Sequence, residues 1–179
     1  MIVCKYGGSS ISNVENIEQI KEILFYKLKE EHNKILTVFS ASGKTTNKLI
    51  LIGQKASEQD LVYNIILQEV IDYHQKLINN LNIFSEITIQ EQINNIFQTI
   101  QDTALGIYYL QEMTPKTQDY LMSQGEKLSA LIMFTYLNKE LMSKDKSLQI
   151  KLYDSTQYLI TDNHYGHAKV DFNITQKNI

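Results

Sequence analysis

Lys5-Tyr6-Gly7-Gly8-Ser9-Ser10 places an ammonium group at the end of the short, mostly apolar run 2–6, with two glycines and two hydroxyls directly after it. Where a strand stops and a helix starts, backbone N–H groups point outward and make a concave anion site. Glycine lets an anion approach a backbone that a Cβ would hold away, and Lys5 could set its charge against a phosphoryl oxygen. The plainer alternative is a tight turn with no ligand.

A second polar run, Ser40-Ala41-Ser42-Gly43-Lys44-Thr45-Thr46-Asn47, follows the apolar stretch 35–39. Gly-Lys-Thr ends a P-loop, but that loop needs a glycine five positions before its second glycine, and Val38 stands there. What remains is a hydroxyl-rich loop at the carboxyl end of a strand, where open α/β sheets hold ligands. Ser42 or Thr45 capping the next helix is the structural alternative.

Ser123-Gln124-Gly125-Glu126-Lys127-Leu128-Ser129 lies in an otherwise apolar helical stretch. Glycine inside a helix costs roughly 1 kcal/mol relative to alanine, so Gly125 serves close packing or a ligand. Glu126 could hold an ammonium group, or it could be an exposed helical glutamate facing water or a lysine. His32, His74, His164 and His167 show no metal-site or triad spacing and read as surface or satisfied loop histidines. Tyr108, Tyr109 and Tyr120 read as core and subunit contact.

The elements that must position these groups follow from periodicity. Strand 2–6, the glycine loop, and a helix with Val14, Ile17, Ile20, Leu24 and Leu28 on one face lead to strand 35–39. Ser12 and Glu15 have capping-box spacing for that helix. Two strands joined through a helix make a βαβ unit, hence a parallel sheet with a right-handed crossover. Helical spacing then runs from Asp60 to about 81 and from about 87 to Met113. After Pro115, Thr117 is placed to cap a third helix that turns Tyr120, Leu121, Leu128, Leu131 and Ile132 to the core. Leu148, Ile150 and Leu152 alternate as a strand does, Tyr158-Leu159-Ile160 reads as another, and a polar tail closes the chain.

The 179 residues suit one unit with a sizeable core. A net charge of −3 argues against a nucleic-acid surface, and all 17 basic residues are lysine, so the two-pronged grip of guanidinium is missing. The single Cys4 and the absence of a signal-like start or of about 18 consecutive apolar residues fit a reducing cytoplasm with no membrane partner.

Taken in order, the Lys5–Ser10 loop, the Ser40–Asn47 loop and Ser123–Glu126 after a long helical stretch resemble the aspartate kinases of the amino-acid kinase superfamily. Leu152-Tyr153-Asp154, Ile160-Thr161-Asp162 and Tyr165-Gly166-His167-Ala168 look like that family's strand and hairpin segment. The resemblance implies an α/β fold, a parallel-sheet αβα sandwich, with residues 1–179 as its N-terminal substrate-binding portion and a helical insert at about 58–138. It implies transfer of the ATP γ-phosphate to the side-chain carboxylate of L-aspartate, at the entry to lysine, threonine and methionine synthesis. Mg²⁺ would be carried by the nucleotide, with no metal site in the protein, and the parent would be a homo-oligomer. By position, Lys5 would stabilise the transferring group, and Lys5, Tyr6, Gly7, Gly8 and Ser9 would hold ATP. Ser40 and Thr46 would line the aspartate pocket, and Glu126 would bind the substrate ammonium.

In that family a nucleotide-binding half with a second lysine, a catalytic aspartate and a carboxylate-gripping arginine lies further on, as do regulatory domains. The chain therefore reads as a fragment, inactive alone, whose cut sheet exposes an edge that invites aggregation or swapped dimers. Kinases of glutamate, acetylglutamate, carbamate or UMP, and a non-catalytic binding fragment, are the alternatives.

Overall fold

A computed structural model describes residues 1–31, 34–83 and 87–178. β1 (Ile2–Tyr6) and β2 (Ile35–Phe39) pair in parallel, with Ile2 beside Ile35 and Tyr6 beside Phe39. The crossover helix α1 (Val14–Glu31) buries Ile17, Ile20 and Leu24 along the face that its spacing marks out, with Val14 and Leu28 partly buried beside them. Its start differs from the capping-box expectation. A 3-10 turn, Gly8–Ile11, comes first, and the Asn13 side chain accepts from the Asn16 N–H at 2.8 Å, while the Ser12 hydroxyl donates back to the Ser9 carbonyl. Asn at the helix start outcompetes a serine whose hydroxyl is already used. His32 lies outside the described residues.

Four helices follow β2: α2 (Thr45–Ser57), α3 (Val62–Asn80), α4 (Ile87–Leu110) and α5 (Pro115–Lys144). α2 packs against α3, α4 and α5. Its Leu49, Ile52 and Ala56 are fully buried in one cluster with Ile100 and Ala104 of α4 and Leu121 and Leu128 of α5. α5 also reaches α1 and β2, and from Leu121 to Asn138 none of its residues is exposed, as befits a central helix. It begins at Thr114, whose hydroxyl oxygen accepts from the Thr117 N–H at 3.1 Å, with Pro115 in the first turn. Thr117 is thus the donor to the cap, not the cap, because proline fits the first helical position and puts the cap one residue before it. Tyr120 corrects another expectation: it is 50% exposed, whereas Leu121, Leu128, Leu131 and Ile132 are buried. Tyr109 is 72% exposed, and Tyr108 is half-buried against the core.

Beyond Lys144 no further strand forms among the described residues. Leu148 and Ile150 do turn half-buried toward the core, but the segment finds no partner, so its alternation reports burial and not pairing. Around Tyr158–Val170 the chain doubles back through one antiparallel bridge, Thr161 with Val170, at a turn where Gly166 has φ +81°. The polar tail contains α6 (Phe172–Asn178), whose buried Thr175 accepts from the Ile160 N–H at 3.0 Å.

The two-stranded sheet is covered on one side only. Val3, Leu36 and Val38 on the other are 60%, 43% and 47% exposed, an unusual state for parallel strands.

Candidate functional site

Both polar loops leave the sheet at the carboxyl ends of neighbouring strands, and the ladder carries on one step past β2 through Ser40 N–H to the Tyr6 carbonyl, 3.0 Å. That step sets the loops side by side. The Gly43 N–H then donates to the Gly8 carbonyl at 2.9 Å. A Cβ on Gly8 would run into the Ala41 carbonyl oxygen, so only glycine allows the contact. Gly43 has φ +58°, a backbone that glycine adopts at no steric cost.

Lys5, the last outward-facing residue of β1, folds back over this loop: its Nζ lies 3.7 Å from where a Gly7 Cβ would stand. A cation, a glycine backbone and the opening N–H groups of a helical turn, which lack intrahelical partners, are thereby gathered at one strand end. Tyr6 faces the other way. It stacks on Phe39 with ring centroids 5.6 Å apart, and burial pushes its phenol pKa up, with Cys4 beside it adding to the shift.

α5 secures the second loop from behind. A Cβ on Gly125 would lie 2.9 Å from the Ala41 Cβ and 3.3 Å from the Thr45 Cγ2, so helix and loop meet backbone to side chain. Gly125 therefore serves close packing. One residue on, Glu126 accepts from the Ala41 N–H through Oε1 at a long 3.4 Å, and one turn on, the Ser129 hydroxyl oxygen accepts from the Ser42 N–H at 2.8 Å. Glu126 is half-buried at the loop, which excludes the reading of a glutamate turned to bulk water. Ser40, which opens the same loop, and Thr46, in the first turn of α2 that follows it, are also half-buried.

Neither hydroxyl proposed as the α2 cap serves that purpose. Ser42 Oγ reaches the Ile11 carbonyl oxygen at 2.6 Å, and Thr45 Oγ1 donates to the Ser42 carbonyl at 2.6 Å. Both are buried, and Lys44 precedes the helix with no side-chain cap bond, because the hydroxyls hold the loop together instead. His74 of α3 lies beneath, fully buried. Its Nδ1 is 2.8 Å from the Val70 carbonyl oxygen and its Nε2 3.5 Å from Thr45 Oγ1. Burial lowers its pKa to about 4, so the ring is neutral and Nδ1 carries the proton that Val70 accepts. A cleft of about 290 Å³ opens beside the loop, lined by Ser12, Gly43, Lys44, Thr45, Lys48, Val70 and Tyr73.

Ser129 and Tyr73 were not singled out from the sequence. Gly125 and Ser129 are small residues four apart on one helix face, a spacing that marks close approach. Tyr73 sits in an ordinary amphipathic helix, and nothing in its spacing distinguishes it. His164 and His167 are exposed, His164 with Nδ1 3.1 Å from Asp162, and among the described residues no cluster of His, Cys, Asp and Glu could hold a metal ion. No described helix is long and apolar enough to cross a membrane.

The amino acid kinase family model matches residues 1–179. Aspartokinase 1 and aspartokinase 2, both chloroplastic, of Arabidopsis thaliana are 32% and 33% identical to the chain over 139 and 140 residues. Each alignment covers 76% of this chain and 23% and 24% of those proteins, so the chain spans about a quarter of their length. The crystal structure of Escherichia coli aspartokinase III in complex with aspartate and ADP superposes with a TM-score of 0.82 at 21% identity, covering 99% of this chain and 36% of that one. The overall fold of the chain thus recurs in a solved aspartokinase. The chain belongs to the amino acid kinase family, and the relatives named here within that family are aspartokinases.

Proposed function

We propose that this chain forms the acceptor side and the phosphate side of an aspartate kinase. In the reaction a side-chain carboxylate oxygen of L-aspartate attacks the γ-phosphorus of ATP, the bond to the ADP oxygen breaks, and 4-phospho-L-aspartate and ADP leave. That product opens lysine, threonine and methionine synthesis. The observation that carries the reading is the meeting of the two loops through Gly43 N–H and the Gly8 carbonyl, with Lys5 over one loop and Glu126 tied to the other. Phosphoryl transfer asks a protein mainly to position two reactants and to stabilise charge, and this junction offers both.

The residues take these roles in the proposal. Backbone N–H groups at Gly7, Gly8 and Ser9 cradle the ATP phosphates, and the missing Cβ of Gly8 lets that segment sit against the Ala41 carbonyl of the neighbouring loop. Tyr6 contributes through its backbone and Lys5 through its ammonium, which meets charge on the transferring group. Ser40 and Thr46 line the aspartate pocket. The Glu126 carboxylate, only loosely held by Ala41 at 3.4 Å, keeps lone pairs for a substrate ammonium. Mg²⁺ would arrive on the nucleotide, supplying neutralisation of phosphate charge. The remaining machinery, including an arginine for the aspartate carboxylate, belongs to residues beyond these 179, and the parent protein is a homo-oligomer of the cytoplasm.

A coupled ADP-release assay with L-aspartate, ATP and Mg²⁺ tests the reading on this chain, on the full reading frame that encodes it, and on Lys5→Ala forms of both. Activity in the longer protein alone, lost with Lys5→Ala, is the expected result. Silence toward aspartate from the full reading frame, with turnover of glutamate, acetylglutamate, carbamate or UMP, would overturn it, as would silence toward all of them.

A further inference from the structure

The two loops are joined by a third element that the family reading does not use. Ser42 Oγ lies 2.6 Å from the Ile11 carbonyl oxygen and 2.7 Å from the Tyr73 hydroxyl, which lies 2.8 Å from the Ser12 carbonyl oxygen. Carbonyls only accept, so the two hydroxyl protons make two hydrogen bonds at a time among these three short contacts. Packing holds the group together: the Tyr73 ring meets the buried His74 ring edge-on, centroids 4.9 Å apart at 80°. The same hydroxyl sits 2.9 Å from the place of a Gly43 Cβ, pressed on the residue whose N–H reaches Gly8.

We propose that Tyr73 is a positioning residue for phosphoryl transfer: from α3, its hydroxyl fixes the acceptor-side loop Ser40–Thr46 relative to the phosphate-side segment Gly7–Ser12. The proposal rests on the aspartate kinase reading. Each loop holds one reactant, so the distance and line of attack between carboxylate and γ-phosphorus depend on how the loops sit against each other. The ties between them, Gly43 to Gly8 and Ser42 to Ile11, both pass through the Ser42–Gly43 pair that the Tyr73 hydroxyl touches. Without that hydroxyl each loop keeps its own binding groups, and the alignment loosens. A misplacement of about 1 Å can cost on the order of a hundredfold in rate.

The test uses the full reading frame with Tyr73→Phe, which keeps the ring, and Tyr109→Phe, an exposed tyrosine, as control. Tyr73→Phe should lower kcat about tenfold while KM for aspartate and ATP stays within about twofold. Its Ser42 and Gly43 amides should exchange with solvent about tenfold faster, with the rest of the chain unchanged. Wild-type kcat in Tyr73→Phe, or a loss that tracks weakened binding or a general loss of protection, overturns the proposal. Inactivity of the wild-type protein toward aspartate would instead sink the kinase reading. The exchange rates then decide the tie by themselves, unchanged rates overturning it and faster ones upholding it.

Discussion

Gly125 and Ala41 face each other with no room for another atom: a methyl group on Gly125 would stand 2.9 Å from the Ala41 Cβ. The neighbour is a short side chain fixed to a loop backbone, so it cannot swing away. On the other side of the same residue, the Ala41 carbonyl leaves no room for a Cβ on Gly8. Ala41 is therefore clamped between Gly8 and the central helix.

Gly125→Ala should destabilise the fold despite improving helix propensity. Alanine gains about 1 kcal/mol in a helix interior, but overpacking against Ala41, Leu49 and Thr45 costs about 1–3 kcal/mol. Urea unfolding should show a net loss, and a gain in midpoint would show that the helix yields freely. Gly125→Val, with a smaller propensity gain and more bulk to place, should lose more.

Glu126→Gln separates charge from packing. The amide oxygen can still accept from Ala41 N–H, so the melting temperature should stay within about 2 °C, whereas the KM for aspartate in the full reading frame should rise at least tenfold. A KM equal to wild type would remove Glu126 from the ammonium site.

His74 gives the fold a pH dependence with a definite sign. Its folded pKa of about 4 lies below the ordinary 6.5, so the unfolded chain takes up a proton first as the pH falls. Stability is full above about pH 6.5 and declines toward pH 4. At pH 5 the loss is on the order of 2 kcal/mol from this residue. The buried ring contacts Val70, Thr45, Tyr73 and Phe97, and the Lys48 charge lowers its pKa further. Urea midpoints at pH 7 and pH 5 should differ for the wild type and much less for His74→Phe. Equal differences in both would assign the effect elsewhere.

The bare face of the sheet should make the chain associate. Val3, Leu36 and Val38 form an exposed apolar strip over two parallel strands with free edges. Size-exclusion chromatography of residues 1–179 should show species above 20.7 kDa, and Val3→Lys with Leu36→Lys should shift the profile toward monomer. A monomeric wild type at tens of micromolar would refute this.

The βαβ start and the three long helices were legible because each carries its own pattern: a short apolar run stopped by glycines at Ile2–Tyr6, threefold and fourfold recurrence from Val14 to Leu28. Helix starts were less so, since Asn13 and Thr114 compete with neighbours of equal capping power, and the choice is made by what each hydroxyl already touches. The absent strands near Leu148 and Tyr158 show a further limit: alternation records which side chains turn inward, while a strand also needs a partner backbone. The loops of the site were visible in composition. Their junction was not, because Gly43 to Gly8 and Tyr73 to Ser42 join residues 35 and 31 positions apart, beyond any local pattern.

α5 runs unbroken for 30 residues, roughly 45 Å at helical rise. Near its start Asp119 accepts from the Gly166 N–H at 2.7 Å, and at its end Lys144 pairs with Glu22 of α1 at 2.9 Å. Gly125, Glu126 and Ser129 touch the acceptor loop between those ends. The helix is thus a beam held at both ends and in the middle, and the room left to Ala41 depends on where those two end contacts seat Gly125.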